Sequence, residues 1–281
     1  MPPWLRRPLP RLGKKTSVEK QIRSRGLHTV CEEAKCPNRA ECFARGTSTF
    51  LICGGVCTRH CTFCSVGHGC PSALDRDEPQ NVARAAAEMG LGYVVLTSVT
   101  RDDLPDGGAA HFARTISALK AALPGTGIEA LIPDFAGKSE ALEQVLASLP
   151  DVLNHHIETV PRLYPHIRPQ AIYRRSLDVL SAAAKRIGWV KSGIMVGLGE
   201  TPDEVHGVLK DLREMGANVL TIGQYLRPTP RQVPVREYVE PSRFDEYREY
   251  AEALGFKKVC AGPYVRSSYR AEEIREWRSD T

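Results

Sequence analysis

Three cysteines stand within eight residues, Cys57-Thr58-Arg59-His60-Cys61-Thr62-Phe63-Cys64, directly after the apolar run Thr49-Phe50-Leu51-Ile52. Three thiolates at Cx3Cx2C spacing can each take one iron of a cubane cluster, whereas clusters built for electron transfer alone usually have four cysteines. The fourth iron then stays open to a ligand. A structural zinc site wants a closed set of four nitrogen or sulfur donors, commonly as two separated CxxC pairs, and neither pair is completed here. A second triplet lies upstream, Cys31-Glu-Glu-Ala-Lys-Cys36-Pro-Asn-Arg-Ala-Glu-Cys42, at Cx4Cx5C spacing. Alone it reads as a zinc knuckle short of one ligand. Two triplets this close are hard to account for as buried free thiols, and a second cluster is the economical reading. Its fourth ligand must come from elsewhere in the chain. Cys53, Cys70 and Cys260 are left over and read as packed thiols.

The run at Thr49 is short, β-branched and aromatic, and Gly54-Gly55 ends it, so it reads as a buried strand opening into the cysteine loop. Further strand patterns occupy 93–99, 127–132, 152–157, 192–198 and 219–226, with one more at 258–265. Helix-period stretches lie between them. In residues 203–215, Val205, Val208, Leu209, Leu212 and Met215 share a face; Thr201 is the N-cap, Glu204 completes a capping box and Gly216 closes the helix. A second helix starts at Ser242, with Phe244, Tyr247, Tyr250, Ala251 and Leu254 on its apolar face and Gly255 at its end. Strands recurring with intervening helices imply βαβ units on a parallel sheet. About six repeats, fewer than the eight of a closed barrel, give an α/β fold: a partial (β/α)6 TIM-like barrel with N-terminal and C-terminal extensions.

In such barrels ligands meet the C-terminal ends of strands. Three polar sets stand there: Thr97 to Asp103, Asn154-His155-His156-Ile157-Glu158-Thr159, and Lys191 to Glu200. The glycines of the third set lack the phosphate-loop order and fit a tight strand-to-helix turn. Adjacent His155 and His156 would point to opposite faces of a strand, and packing is favoured over metal ligation for both. Asp102 and Asp103 either face a substrate or cap the following turn.

Composition narrows the class. The 281 residues, 42% hydrophobic, can bury a sizeable core, and no run of eighteen apolar residues predicts a membrane span. No apolar leader argues for export, so the cysteines are expected to work reduced, in the cytoplasm. Residues 1–26 carry eight Lys or Arg (Arg6, Arg7, Arg11, Lys14, Lys15, Lys20, Arg23, Arg25) against Glu19 alone, and Pro2, Pro3, Pro8 and Pro10 keep the start irregular. Such a run is a solvated arm or a dock for an acidic protein. No aromatic residues are interleaved for stacking, so nucleic acid is not expected.

The Cx3Cx2C loop, with Phe63 as the aromatic before its last cysteine, resembles that of the radical S-adenosylmethionine enzymes. The resemblance implies the same partial barrel. It also implies that Cys57, Cys61 and Cys64 hold a [4Fe–4S] cluster whose open iron chelates the amino and carboxylate groups of S-adenosylmethionine, which one electron cleaves to a 5'-deoxyadenosyl radical. Further marks are the Cx4Cx5C triplet, Thr97-Ser98-Val99-Thr100-Arg101-Asp102-Asp103, Gly223-Gln224-Tyr225-Leu226, and Gly262-Pro263-Tyr264-Val265-Arg266-Ser267-Ser268-Tyr269. Together they resemble the branch of these enzymes that inserts sulfur into an octanoyl chain on a carrier lysine.

That narrower resemblance implies a second, auxiliary [4Fe–4S] cluster on Cys31, Cys36, Cys42 and Ser268, consumed as the sulfur donor at the sixth and eighth carbons, with Arg266 beside it. A serine alkoxide is a harder iron ligand than thiolate, which suits an iron to be given up. For S-adenosylmethionine, Asn154 and Glu158 are expected at the ribose or methionine, Lys191 or Arg175 at the carboxylate, with Phe63, Thr97 and Ser98 as further contacts. The implied partners are octanoylated lipoyl-carrier domains (the acyltransferase component of 2-oxoacid dehydrogenases and the glycine cleavage H protein), an external electron donor and a cluster-rebuilding protein. The division expected is 1–45 for the auxiliary cysteines, 46–230 for the barrel and 231–281 for the segment supplying the serine. His156 stands where this branch usually has asparagine, Arg227 where it has glutamine, and Arg270 where it has histidine. Two rivals differ in outcome. A methylthiolating or other sulfur-inserting relative does not need both the first triplet and Ser268. A zinc module is colourless without labile sulfide, whereas two cubanes make a brown protein with about eight irons per chain.

Overall fold

Parallel pairing of short, largely buried strands organises the chain, and helices with one apolar stripe cover them. The computed structural model describes residues 2–6, 21–22, 24–44, 48–269 and 271–273. Arg7, Arg11, Lys14, Lys15, Lys20, Arg23 and Arg270, with Pro8 and Pro10, lie outside the described residues. Arg25 of the basic run pairs with Glu88. The chain divides into two compact units, one drawn from Pro10–Arg59, Val66–Asp151 and Ser268–Thr281, the other from Met1–Leu9, His60–Ser65 and Val152–Ser267. No helix among the described residues is long and apolar enough to cross a membrane.

In the first of these units the chain runs β1 (His28–Thr29), α1 (Val30–Glu33), α2 (Arg39–Ala44), β2 (Thr49–Ile52), β3 (Val56–Cys57), β4 (Gly67–His68), α3 (Glu78–Glu88), β5 (Tyr93–Ser98), α4 (Ala109–Ala122), β6 (Gly127–Leu131) and α5 (Ser139–Ala147). β1 is antiparallel to β2; β2, β5 and β6 run parallel, with Phe50 opposite Leu96 and Leu96 opposite Ala130, all three fully buried. α4 buries Phe112, Ile116 and Leu119 at helical spacing. β3 and β4 pair parallel, so the cysteine loop leaves and rejoins a two-stranded clasp, Val56 against Gly67 and Cys57 against His68.

The second unit holds β7 (Val152–Asn154), α6 (Tyr164–Ile167), α7 (Tyr173–Ala184), β8 (Val190–Val196), α8 (Pro202–Glu214), β9 (Val219–Gln224), α9 (Pro241–Ala253) and β10 (Lys258–Gly262). These four strands are also parallel, in the order β7-β8-β9-β10. α8 carries the expected capping box: the Glu204 N–H donates to Thr201 Oγ1 at 3.3 Å and the Thr201 N–H to Glu204 Oε2 at 2.8 Å. Several expected bounds move: β8 lies two residues earlier than expected, β9 ends at Gln224 instead of 226, and β10 ends at Gly262 instead of 265. α9 starts at Pro241 rather than Ser242, because Pro241 fits the first helical turn with its fixed φ and missing N–H; Glu240 stands in the N-cap position without a side-chain cap. β7 stops at Asn154 instead of reaching Ile157, and Glu158, at φ +69°, rejoins β8 through a single bridge to Ile194. Between the Asn154–Lys191 pair and the Glu158–Ile194 bridge the chain takes four steps against three on β8, and the extra residue takes it out of regular pairing.

Candidate functional site

The first triplet is presented by two short helices. Thr29 caps α1 by accepting from the Glu32 N–H at 3.3 Å. A left-handed Lys35 at φ +50° turns the chain, and the Cys36 N–H closes that turn on the Cys31 carbonyl at 3.2 Å. Cys42 rides on α2, its N–H on Asn38 O at 2.9 Å. Burial pushes the Cys31 thiol up to about 12, and the charges of Cys36 and Cys42 push the same way, so the three sulfurs are electrostatic neighbours. A hydrogen bond from the Thr49 backbone opposes this. The same Thr49 donates its hydroxyl to Ser268 Oγ at 2.8 Å. Next along the chain, Tyr269 donates its hydroxyl to Glu41 Oε1 at 2.9 Å, and Glu41 adjoins Cys42 on α2. A cysteine triplet with one sulfur too buried to ionise alone suits a metal group that replaces the proton.

The second triplet is held by its neighbours. Cys57 ends β3, and its sulfur accepts the N–H groups of Arg59 at 3.4 Å and Thr100 at 3.3 Å. Arg59, buried, grips Asp102 through two bonds of 2.7 and 2.9 Å and Asp134 through a third of 2.6 Å. Arg101 pairs with Asp103 at 2.9 Å. Asp102 and Asp103 are therefore taken up by arginines that fasten the loop to the end of β5. Sequence spacing did not point to Arg59, whose partners lie 43 and 75 residues on.

Cys61 and Cys64 sit at the two ends of a turn closed by the Cys64 N–H on Cys61 O at 3.1 Å. Thr62 bonds Ile167 O through its N–H at 3.0 Å and His166 O through its hydroxyl at 2.9 Å. The segment after β9 closes over the turn: Gln232 Nε2 donates to Cys64 O at 3.1 Å and the Val233 N–H to Thr62 O at 3.0 Å. Phe63 is half-buried. Among the described residues no three His, Cys, Asp or Glu side chains converge on a single ion.

The expected S-adenosylmethionine contacts fall in both units. Thr97 and Ser98 end β5; Thr97 is buried, and the Ser98 hydroxyl is shielded from solvent without a partner. Asn154 ends β7, fully buried, and its Nδ2 donates to Ser267 Oγ at 2.7 Å. Lys191 is its register partner on β8 and also buried, but it is the second residue of that strand, not its C-terminal end. Arg175 lies half-buried near the start of α7. Burial works against the Glu158 charge, but His156, at 3.4 Å, together with Arg168 and His155, holds its carboxyl below the usual range. His155 is buried with its N–H on Lys191 O at 3.0 Å.

Arg266 Nη1 donates to Val265 O at 2.6 Å, and this corner lies on Gly223 of β9, where a Cβ would come within 2.2 Å of the Val265 carbonyl. Ser267, as the acceptor for Asn154, went unread in the sequence because the two are 113 residues apart. Of the leftover cysteines, Cys53 is buried and Cys260 half-buried in β10, whereas Cys70 is exposed, contrary to expectation, in the irregular segment after β4.

Known proteins show the family of the chain. Residues 51–212 match the Radical SAM superfamily. The structure is similar to methylornithine synthase (TM-score 0.53, 14% identity, 91% of this chain and 84% of that one). It is also similar to coproporphyrinogen III oxidase from Escherichia coli, described as a radical SAM enzyme (TM-score 0.54, 14% identity, 73% of this chain and 52% of that one). The chain thus belongs to the radical SAM superfamily and has its α/β, partial TIM-like fold. Lipoyl synthase of Caldicellulosiruptor saccharolyticus is 54% identical over 275 residues, 97% of this chain and 96% of its own. That of Mycobacterium avium is 53% identical over 274 residues, 97% and 89%. Within the superfamily the chain belongs to the lipoyl synthase family: it is a radical SAM sulfurtransferase that uses [4Fe–4S] clusters and S-adenosylmethionine.

Proposed function

We propose that the chain inserts two sulfur atoms, at the sixth and eighth carbons, into an octanoyl group on the side-chain nitrogen of a carrier-protein lysine, giving the lipoyl cofactor. Cys57, Cys61 and Cys64 hold the cluster that binds S-adenosylmethionine; Cys31, Cys36, Cys42 and Ser268 hold the auxiliary one. When bound, these groups supply radical chemistry at an unactivated methylene and the sulfur itself, neither of which side-chain acids and bases can provide. The observation that supports the reading is the 2.8 Å hydrogen bond from the Thr49 hydroxyl to Ser268 Oγ, which holds the expected fourth ligand at the start of the strand that directly follows the first triplet in the chain.

The side chains bind, orient and exclude water. Phe63, Thr97, Ser98, Asn154, Glu158 and Lys191 or Arg175 take S-adenosylmethionine, the cation serving its carboxylate. Arg266 supplies charge beside the auxiliary site. Residues 1–45 act as the auxiliary-cysteine extension, 46–230 as the catalytic barrel and 231–281 as the serine-supplying segment. The carrier is the acyltransferase component of a 2-oxoacid dehydrogenase or the glycine cleavage H protein, and an external electron donor and a cluster-rebuilding protein complete a cytoplasmic cycle. The test is anaerobic turnover of an octanoylated carrier peptide with S-adenosylmethionine and reductant, followed by mass. A gain of two sulfurs supports the reading; a methylthio product, or none, rejects it.

A further inference from the structure

Arg168 follows α6 and is fixed from several sides. Its Nη1 donates to His156 O, Ile157 O and the Tyr164 hydroxyl, each at 3.0 Å. Its guanidinium lies 5.3 Å from the Tyr164 ring centroid, and the Tyr164 hydroxyl is itself anchored on Ile157 O at 2.8 Å. Its Nε, shielded from solvent, has no hydrogen-bond partner. The two residues before it, His166 and Ile167, accept the hydrogen bonds of Thr62, the residue after Cys61. Burial disfavours the Arg168 charge, yet Tyr164, then Glu158 and Cys61, keep it on the charged side, so the side chain is a fixed cation beside the Cys61–Cys64 turn that Thr62 ties to its own segment.

We infer that Arg168 is a positioning residue for electron delivery: a fixed cation that raises the reduction potential of the iron–sulfur group held at Cys61. This rests on the loop assignment above. The step is one electron from the external donor into the loop cluster, adding one negative charge there with no bond made or broken. Cluster potentials follow net charge, hydrogen bonding and solvent exposure, and a neighbouring buried cation favours the more negative, reduced form.

The test is a potentiometric titration of the reconstituted protein with dithionite, followed by electron paramagnetic resonance; the signal that changes on adding S-adenosylmethionine is the loop cluster's. Arg168→Gln should lower its equilibrium constant for reduction at least about tenfold, which is ~59 mV for one electron. Arg168→Lys, keeping the charge, should stay within about threefold of the parent. An unchanged potential in Arg168→Gln, or an equal fall in both variants, overturns the inference. If Arg168→Gln does not take up iron, Arg168→Met, which keeps the apolar stem without the charge, is titrated in its place, and an unchanged potential there overturns the inference. A parent protein without any signal sensitive to S-adenosylmethionine would instead reject the loop assignment.

Discussion

Thr49 Oγ1 donates to Ser268 Oγ across 2.8 Å, joining residues 219 apart in the chain. Thr49 opens β2, so this bond ties the serine to the strand that directly follows the first cysteine triplet in the chain. Thr49→Val removes the hydroxyl and keeps the β-branch, at a cost of about 1 kcal/mol for the lost hydrogen bond. Ser268→Ala removes the ligand itself. Iron and labile-sulfide analysis should show about four irons lost in Ser268→Ala with loop iron retained, and partial loss in Thr49→Val.

Gly223 tests how the Arg266 to Ser268 stretch is held. A Cβ there would collide with Val265 O at 2.2 Å and approach Arg266 Nη1 at 3.2 Å. Backbone cannot swing aside as a side chain can, so Gly223→Ala should cost about 1–3 kcal/mol by overpacking. It should also displace Ser268, so auxiliary iron falls further than loop iron. Denaturant midpoints and iron counts on the same samples check both.

Arg59 is the fastener of the loop. Asp134, whose side chain is fully buried, relies on it at 2.6 Å. Removing one partner of a buried ion pair strands the other, so Arg59→Ala should destabilise by about 3–5 kcal/mol. Arg59→Lys keeps the charge without the planar fork to Asp102 and should fall in between. Urea denaturation of the iron-free proteins measures this apart from cluster loading.

The legible part of this molecule was local. Cx3Cx2C, Cx4Cx5C and the Thr201–Glu204 capping box each occupy a few residues, and local spacing is what a one-dimensional reading registers. The early end of β7 was hidden because Ile157 extends the strand-like pattern, and the extra residue between Asn154 and Glu158 relative to β8 shows only in the pairing register. Arg59 and Ser267 were hidden for another reason. Each looks like an ordinary polar residue until folding brings Asp134 or Asn154 to it. Ser268 was reachable only through family resemblance, since nothing in a polar tail singles out one hydroxyl.

A pH effect should appear away from the clusters. Hydrogen bonds from Arg162, at 2.7 and 2.9 Å, then from the Thr201 N–H, hold the Glu204 carboxyl down at about 2 from its ordinary 4.5. An acid whose folded value is depressed contributes stability above its unfolded value, and that contribution fades as pH falls from about 4.5 toward 2. The pair is exposed and screened, so the effect is small. Glu204→Gln should lower the denaturation midpoint at pH 7, and the gap to the parent should close as the pH drops through that window.

The origin of the inserted sulfur is the most direct question. The auxiliary site can be reconstituted with heavy-isotope sulfide, freed of excess reagent, and taken through a single turnover on octanoylated carrier with only light sulfide in solution. Two heavy sulfurs in the product, with auxiliary sulfide lost in step, is the result predicted; light sulfur in the product, or heavy sulfide still intact after turnover, would contradict it.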